Sequence, residues 1–108
     1  MPEGRDKLRS ELRHGVIVLA VLALLREEHY GYSLRKALAL AGMAVEEGTL
    51  YPLVRRLERQ GLLSSEWRVE GNRKKRFYRL SSIGRAQLSA LSNDWDALNA
   101  SIGPLLKN

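Results

Sequence analysis

The 108-residue chain contains no cysteine. That excludes disulfides, thiolate metal sites and a cysteine nucleophile, and it fits a reducing compartment. Its only histidines, His14 and His29, lie 15 residues apart with no third ligand beside them, so zinc-type spacing is lacking. No carboxylate pair suited to acid–base work and no phosphate-cradling glycine loop is present either. An enzyme is therefore not indicated, and no metal or cofactor is called for. The longest apolar run, Val16 to Leu25, is ten residues, about half of the ~20 that a membrane span requires. The N-terminus mixes charges of both signs rather than following a signal-peptide pattern. Neither membrane insertion nor export is expected, and the cytoplasm is the default location. Internal repeats and low-complexity segments are also lacking.

What is present is a globular composition, 44% hydrophobic and 28% charged, in a length that suits one compact domain. The net charge is +6, and residues 67–80 alone supply +5 of it: Arg68, Arg73, Lys74, Lys75, Arg76 and Arg79 stand against Glu70. A positive charge gathered in one short stretch points to a polyanionic partner. The same stretch reads as a β-hairpin, with a strand over 65–69, a turn at Glu70-Gly71-Asn72-Arg73 and a returning strand over 75–80 that carries Phe77 and Tyr78.

The segment before the hairpin explains what it accompanies. Leu50, Leu53, Val54 and Leu57 recur at i, i+3, i+4 and i+7, the stripe of a helix with one buried side. Thr49, Pro52, Arg55, Arg56 and Arg59 fall on the opposite arc and Tyr51 lies at its margin, half towards the core. Gly61 stops the helix. A shorter helix precedes it from Tyr30 to about Ala41-Gly42, with Leu34, Leu38 and Leu40 expected inward. Two helices joined by a short turn form a helix-turn-helix unit, whose second helix enters the major groove of DNA. Pro52 removes one helical hydrogen bond, which predicts a distorted first turn or a helix that begins nearer Thr49.

The ends of the chain frame this unit. Residues 1–6 are expected to fray. From Lys7 to about Arg26 the spacing predicts a helix that is apolar on every side beyond Val16 and therefore buried all round; one domain of this size can hardly cover it alone, so part of its surface is expected to meet a second subunit or the C-terminal helix. After Ser81 or Ser82 as N-cap, Leu88, Leu91, Trp95, Leu98 and Ile102 recur at alternating steps of 3 and 4, the seam of a coiled coil that requires a partner helix. That helix is expected to end or kink at Gly103-Pro104. The predicted fold is mainly α with a small β-hairpin: a winged helix-turn-helix domain over 7–80 and a C-terminal dimerisation helix over 81–108.

Four blocks carry a family resemblance: Tyr30-Gly31-Tyr32, the segment from Glu47 to Leu53, the stretch from Arg56 to Leu63, and Arg76-Phe77-Tyr78-Arg79-Leu80. In this order and separation the chain resembles the PadR family of bacterial transcriptional regulators, of the subtype with a short C-terminal helix, over about Leu12 to Leu98. His29 before the tyrosine pair and Ser81 after the wing depart from the usual pattern. The resemblance implies a homodimeric regulator, usually a repressor on a near-palindromic operator, released by a small aromatic ligand.

The expected contacts to double-stranded DNA then divide by position. Gly48, Thr49 and Tyr51 suit phosphate at a helix N-terminus, Arg55 reaches a base edge or a further phosphate, Arg56 is counted with them as a DNA-binding residue, and Arg73, Lys74 and Lys75 straddle the backbone from the wing. His14 either touches phosphate or is merely solvated. Leu19, Leu88, Leu91, Trp95, Leu98 and Ile102 are expected at the dimer interface. Trp95 either fills that interface or, as the resemblance implies, stacks a flat effector. The competing reading is a winged-helix module that binds RNA or another protein without sequence preference.

Overall fold

The computed structural model describes residues 2–107. Its elements run α1 (Pro2–Leu24), β1 (His29–Tyr30), α2 (Gly31–Leu40), α3 (Glu47–Arg59), β2 (Leu63–Glu70), β3 (Arg73–Leu80) and α4 (Ser82–Leu106). The stripe on α3 behaves as its spacing dictates: Leu50, Leu53, Val54 and Leu57 are all buried. They pack with Val21, Leu22 and Leu25 of the first helix and its exit, Leu34 and Leu38 of α2, and Leu63, Tyr78 and Leu80 of the sheet. At about 1.5–3 kcal/mol for each fully buried aliphatic side chain, this cluster is the dominant favourable contribution to the fold. It also fixes which side of α3 faces outward.

Both helices of the helix-turn-helix stop by the same device. After α2, Gly42 takes φ 89°, its N–H donates to Ala39 O, and Met43 N–H donates to Leu38 O. After α3, Gly61 takes φ 82°, its N–H donates to Glu58 O, and Leu62 N–H donates to Leu57 O. Each is a Schellman closure, in which a left-handed residue turns the chain back over the last carbonyls. The hairpin closes on Gly71 and Asn72, both at positive φ (56° and 67°), between the paired residues Glu70 and Arg73. Two successive left-handed residues make the tight turn whose twist matches that of the flanking strands.

Several expectations change. Residues 2–6 continue α1 rather than fraying, while Met1 lies outside the described residues. Not changed is the burial of α1, where only Val21 and Leu22 are fully buried and Val16 to Ala20 are half-exposed, as expected of a single copy of so small a domain, which cannot enclose a helix on every side. Leu40 is 82% exposed, because at two residues beyond Leu38 it falls on the opposite side of the helix from the Leu34–Leu38 stripe. α3 starts at Glu47 and passes through Pro52, whose ring lies on the solvent side. The strands are longer than expected, with a turn of two residues. A third strand, β1, joins the sheet in the order β1-β3-β2, pairing His29 with Tyr78 and Tyr30 with Phe77. α4 runs past Pro104 to Leu106.

The start of α4 is tied to both ends of the hairpin. Ser81 Oγ donates to Gly61 O (2.6 Å) and accepts from Gly84 N–H (3.0 Å), and Ser81 N–H donates to Leu62 O (3.0 Å). Gly84 is buried there, and a Cβ built on it would stand 2.0 Å from Leu62 O. On helix propensity alone, Gly84→Ala would stabilise the protein by roughly 0.5–1 kcal/mol. The collision with a backbone carbonyl reverses the sign: we expect a loss of about 1–3 kcal/mol, read as a lowered melting temperature, and a rise would refute the close approach.

Candidate nucleic-acid interface

With its stripe buried, α3 presents Gly48, Thr49, Pro52, Arg55, Arg56 and Arg59 to solvent. At its start Glu46 O accepts from the N–H groups of Thr49 and Leu50, leaving the earlier amides of the first turn pointing outward, as suits an anion. Glu47 also stands in that turn, and Arg35 of α2 holds its carboxylate at 2.5 Å, which offsets a charge that would otherwise repel phosphate.

Between α3, the N-terminus of α2 and the hairpin lies an open cleft of about 470 Å³. Arg55 reaches it from α3, and Arg73, Lys74, Lys75 and Arg76 reach it from β3. The arginine face of the third helix and the cationic hairpin are thus directed at one space. β1 covers only the Phe77–Tyr78 end of β3, so the Arg73–Arg76 stretch of that strand edge opens onto the cleft. Tyr30, Tyr32, Tyr51, Trp67 and Tyr78 line the remainder. Gly31 lets the Tyr51 ring approach, since a Cβ there would stand 2.9 Å from it.

The cations differ in what holds them. Among the described residues, Arg55, Arg73 and Lys74 have no carboxylate within ion-pair distance. Lys75 Nζ is 3.7 Å from Glu70 and lies over the Tyr30 ring at 4.4 Å. Arg76 is held at two points: its Nη2 donates to Glu58 of α3 (2.8 Å) and its Nε donates to Ser65 Oγ (2.9 Å). Ser65 Oγ in turn donates to the other oxygen of Glu58. This ring of three residues fastens the hairpin to the recognition helix, and the guanidinium also sits over Tyr78 and Trp67. On the opposite face Arg68 lies over Phe77 at 4.0 Å and pairs with Glu28, a hydrogen bond that pushes the guanidinium pKa above its already high value. Burial pushes the Tyr78 phenol pKa upward, with Arg76 opposing it, so Tyr78 faces the cleft uncharged.

Of the residues singled out by sequence, Tyr51, Arg55, Arg73, Lys74 and Lys75 meet in the cleft. Gly48, Thr49 and Arg56 are exposed on α3 beside it rather than within it. His14 is exposed on α1 and does not line it; neighbouring Arg13 donates to Ala44 O at 3.3 Å, linking α1 to the turn of the helix pair. Sequence reading missed Tyr30, Tyr32 and Trp67 as cleft walls, and Glu58 and Ser65 as the hairpin's anchors. The alternation of β2 could have placed Ser65 and Trp67 on one face. Nothing local marks Glu58, whose partner is 18 residues away.

A second groove, of about 550 Å³ and largely apolar, separates α1 from α4; Leu12, Val16, Leu19, Leu91, Trp95 and Leu98 line it, with Glu11 and Asp94 among its polar members. Leu88 does not belong to this surface. It is 5% exposed and packed into the core of its own chain, so the first position of the expected seam is occupied in cis.

Three helices, a hairpin wing packed on the third of them and a long trailing helix define a winged helix-turn-helix protein. Residues 18–90 match the Transcriptional regulator PadR-like family, and the chain belongs to that family, whose members are regulators rather than enzymes. It is 47% identical over 62 residues to the Transcriptional regulator Rv3488 of Mycobacterium tuberculosis (strain ATCC 25618 / H37Rv), a match spanning 57% of this chain and 58% of that relative's length. Among solved structures, a PadR family transcriptional regulator from Eggerthella lenta DSM 2243 superposes with a TM-score of 0.89 at 42% identity, over 99% of this chain and 96% of the other. A PadR-like transcription factor from bacteroid fragilis superposes with a TM-score of 0.78 at 32% identity, over 93% and 99%.

The anchor makes a distinctive prediction. Glu58→Gln keeps the shape but removes the charge from two hydrogen bonds at a partly exposed site, which should cost about 1 kcal/mol after allowance for solvent screening. Amide exchange in β2 and β3 should quicken while α1 and α2 keep their protection. Uniform exchange across the chain would show that the ring does not hold the hairpin.

Proposed function

We propose that this protein is a sequence-specific DNA-binding regulator that acts in the cytoplasm as a homodimer. The observation that carries the proposal is the convergence of Arg55 from α3 with Arg73 and Lys74 from the wing on one cleft. α3 enters a major groove, with Thr49 and the first-turn amides on phosphate and Arg55 and Arg56 near base edges. The wing lies along the adjoining backbone, where Arg73 reaches into the minor groove if that groove is narrow.

The partner surface is an apolar ridge on α1 and α4. Leu12, Leu98 and Ile102 are 74%, 64% and 49% exposed, and Trp95 is 41% exposed. A soluble monomer seldom leaves so continuous an apolar surface open. Pairing this ridge about a two-fold axis buries it, with Leu19, Leu91, Trp95, Leu98 and Ile102 at the contact, and presents two reading heads to successive major grooves about 34 Å apart. The operator is then a near-palindrome. Occupying it excludes other proteins from the same DNA, and repression is the output we assign. The groove beside Trp95 takes a flat aromatic effector that stacks on the indole.

Two experiments test these points. Replacing Arg73 and Lys74 with serine should weaken operator and random duplex alike and reduce the slope of log K against log salt by about 2. An unchanged slope would remove the wing from the interface, and equal affinity for random duplex and RNA in the parent protein would favour a non-specific polyanion binder. Leu98→Glu places a charge in the ridge and should yield a folded monomer by sedimentation that has lost operator binding and response to planar dyes. A dimer that persists would assign the ridge another role.

A further inference from the structure

The chain is poor in aromatic residues yet gathers them in one place. It has four tyrosines, two tryptophans and one phenylalanine, and all four tyrosines together with Trp67 line the cleft between α3 and the wing. Duplex DNA makes little use of such walls, because its base faces are stacked away and only base edges, sugars and phosphates are presented. Backbone contact alone would be served by the cations. Tyr32 and Trp67 are nevertheless 57% and 54% exposed; Lys74 and Arg76 stand over part of the Trp67 ring, and the ring surface they leave uncovered is open to a ligand. Lys74 stands 5.2 Å from the Trp67 ring centre, while Arg55 and Arg73 reach the same space.

A wall of aromatic faces beside uncompensated cations is the chemistry that holds an unstacked base and its phosphate. The volume of about 470 Å³ falls within the range of small-molecule sites. A bicyclic purine offers these rings more stacking area than a pyrimidine. We propose that this cleft binds a free purine nucleoside phosphate, its base against Trp67 and Tyr32 and its phosphate on Arg73, Lys74 and Arg55. The site is separate from the groove at Trp95, and its occupant competes with DNA by direct overlap. Only that competition rests on the DNA-binding reading; nucleotide binding itself stands apart from it.

The test uses the full-length protein without DNA and follows its two indole N–H resonances during titration with GMP, guanosine and ribose 5-phosphate. GMP should shift the Trp67 resonance, identified by its loss in Trp67→Ala, and leave that of Trp95 in place. It should bind roughly 5- to 100-fold more tightly than ribose 5-phosphate, the margin expected for stacking one base. Trp67→Ala and Tyr32→Ala, both at exposed positions, should each reduce that margin. Equal binding of GMP and ribose 5-phosphate would reduce the site to general anion attraction and overturn the proposal. So would an unmoved Trp67 resonance at millimolar GMP, or an unchanged margin in both variants. A second titration with operator duplex present should show GMP displacing DNA; failure of the duplex to bind at all would count against the regulator reading and leave the first result intact.

Discussion

Everything on the outer surface of this protein depends on which side of one helix is buried. Leu50, Leu53, Val54 and Leu57 lie along a single line of α3 and are packed against α1, α2 and the sheet. Because the helix cannot roll without exposing that line, Arg55, Arg56 and Arg59 are held outward by apolar burial on the other side, and among the described residues no carboxylate pairs with them. The hydrophobic effect has no direction. Spaced at helical intervals, it nonetheless orients charges it never touches.

Direction alone would leave the hairpin free to swing. Two-stranded ribbons are weakly stable by themselves, and this one projects beyond the core with its outer half exposed. The ring of Glu58, Ser65 and Arg76 solves the problem by using one of the hairpin's own cations as a fastener. Arg76 therefore contributes less to the field around the cleft than its neighbours, since a carboxylate sits against it. The six cations of the hairpin are not equivalent: Arg68 and Arg76 hold structure, Lys75 is partly engaged, Arg79 is exposed outside the cleft, and Arg73 and Lys74 are left to meet an anion.

Those distinctions mark the boundary of what the sequence discloses. The helix pair, the wing, the trailing helix and the positions of Arg55, Arg73 and Lys74 were legible because each rests on local periodicity, a turn residue or a charge cluster. β1 was not, since two residues carry no alternation, and His29–Tyr30 becomes a strand only because β3 offers it an edge. Leu88 belongs to the same heptad series as Leu91 and Trp95, but periodicity cannot say that the first turns of α4 lie on their own domain while the later turns stand clear. Glu58 and Ser65 were invisible for a related reason, because a hydrogen-bonded ring among three elements has no signature in any one of them. The four tyrosines look scattered in the chain, and only the fold brings them together.

Gly84 bears on how the two ends of the molecule communicate. With nothing larger than a hydrogen between α4 and the carbonyl of Leu62, and with Ser81 bonded to Gly61 and Gly84 at once, the trailing helix has no slack where it meets the base of the wing. It is built as a seated fulcrum: Ser81 is the single residue between β3 and α4, with no loop there to absorb a tilt. Under the regulation proposed above, a change of tail angle would reach the wing through this joint with neither unfolding nor a moving lid.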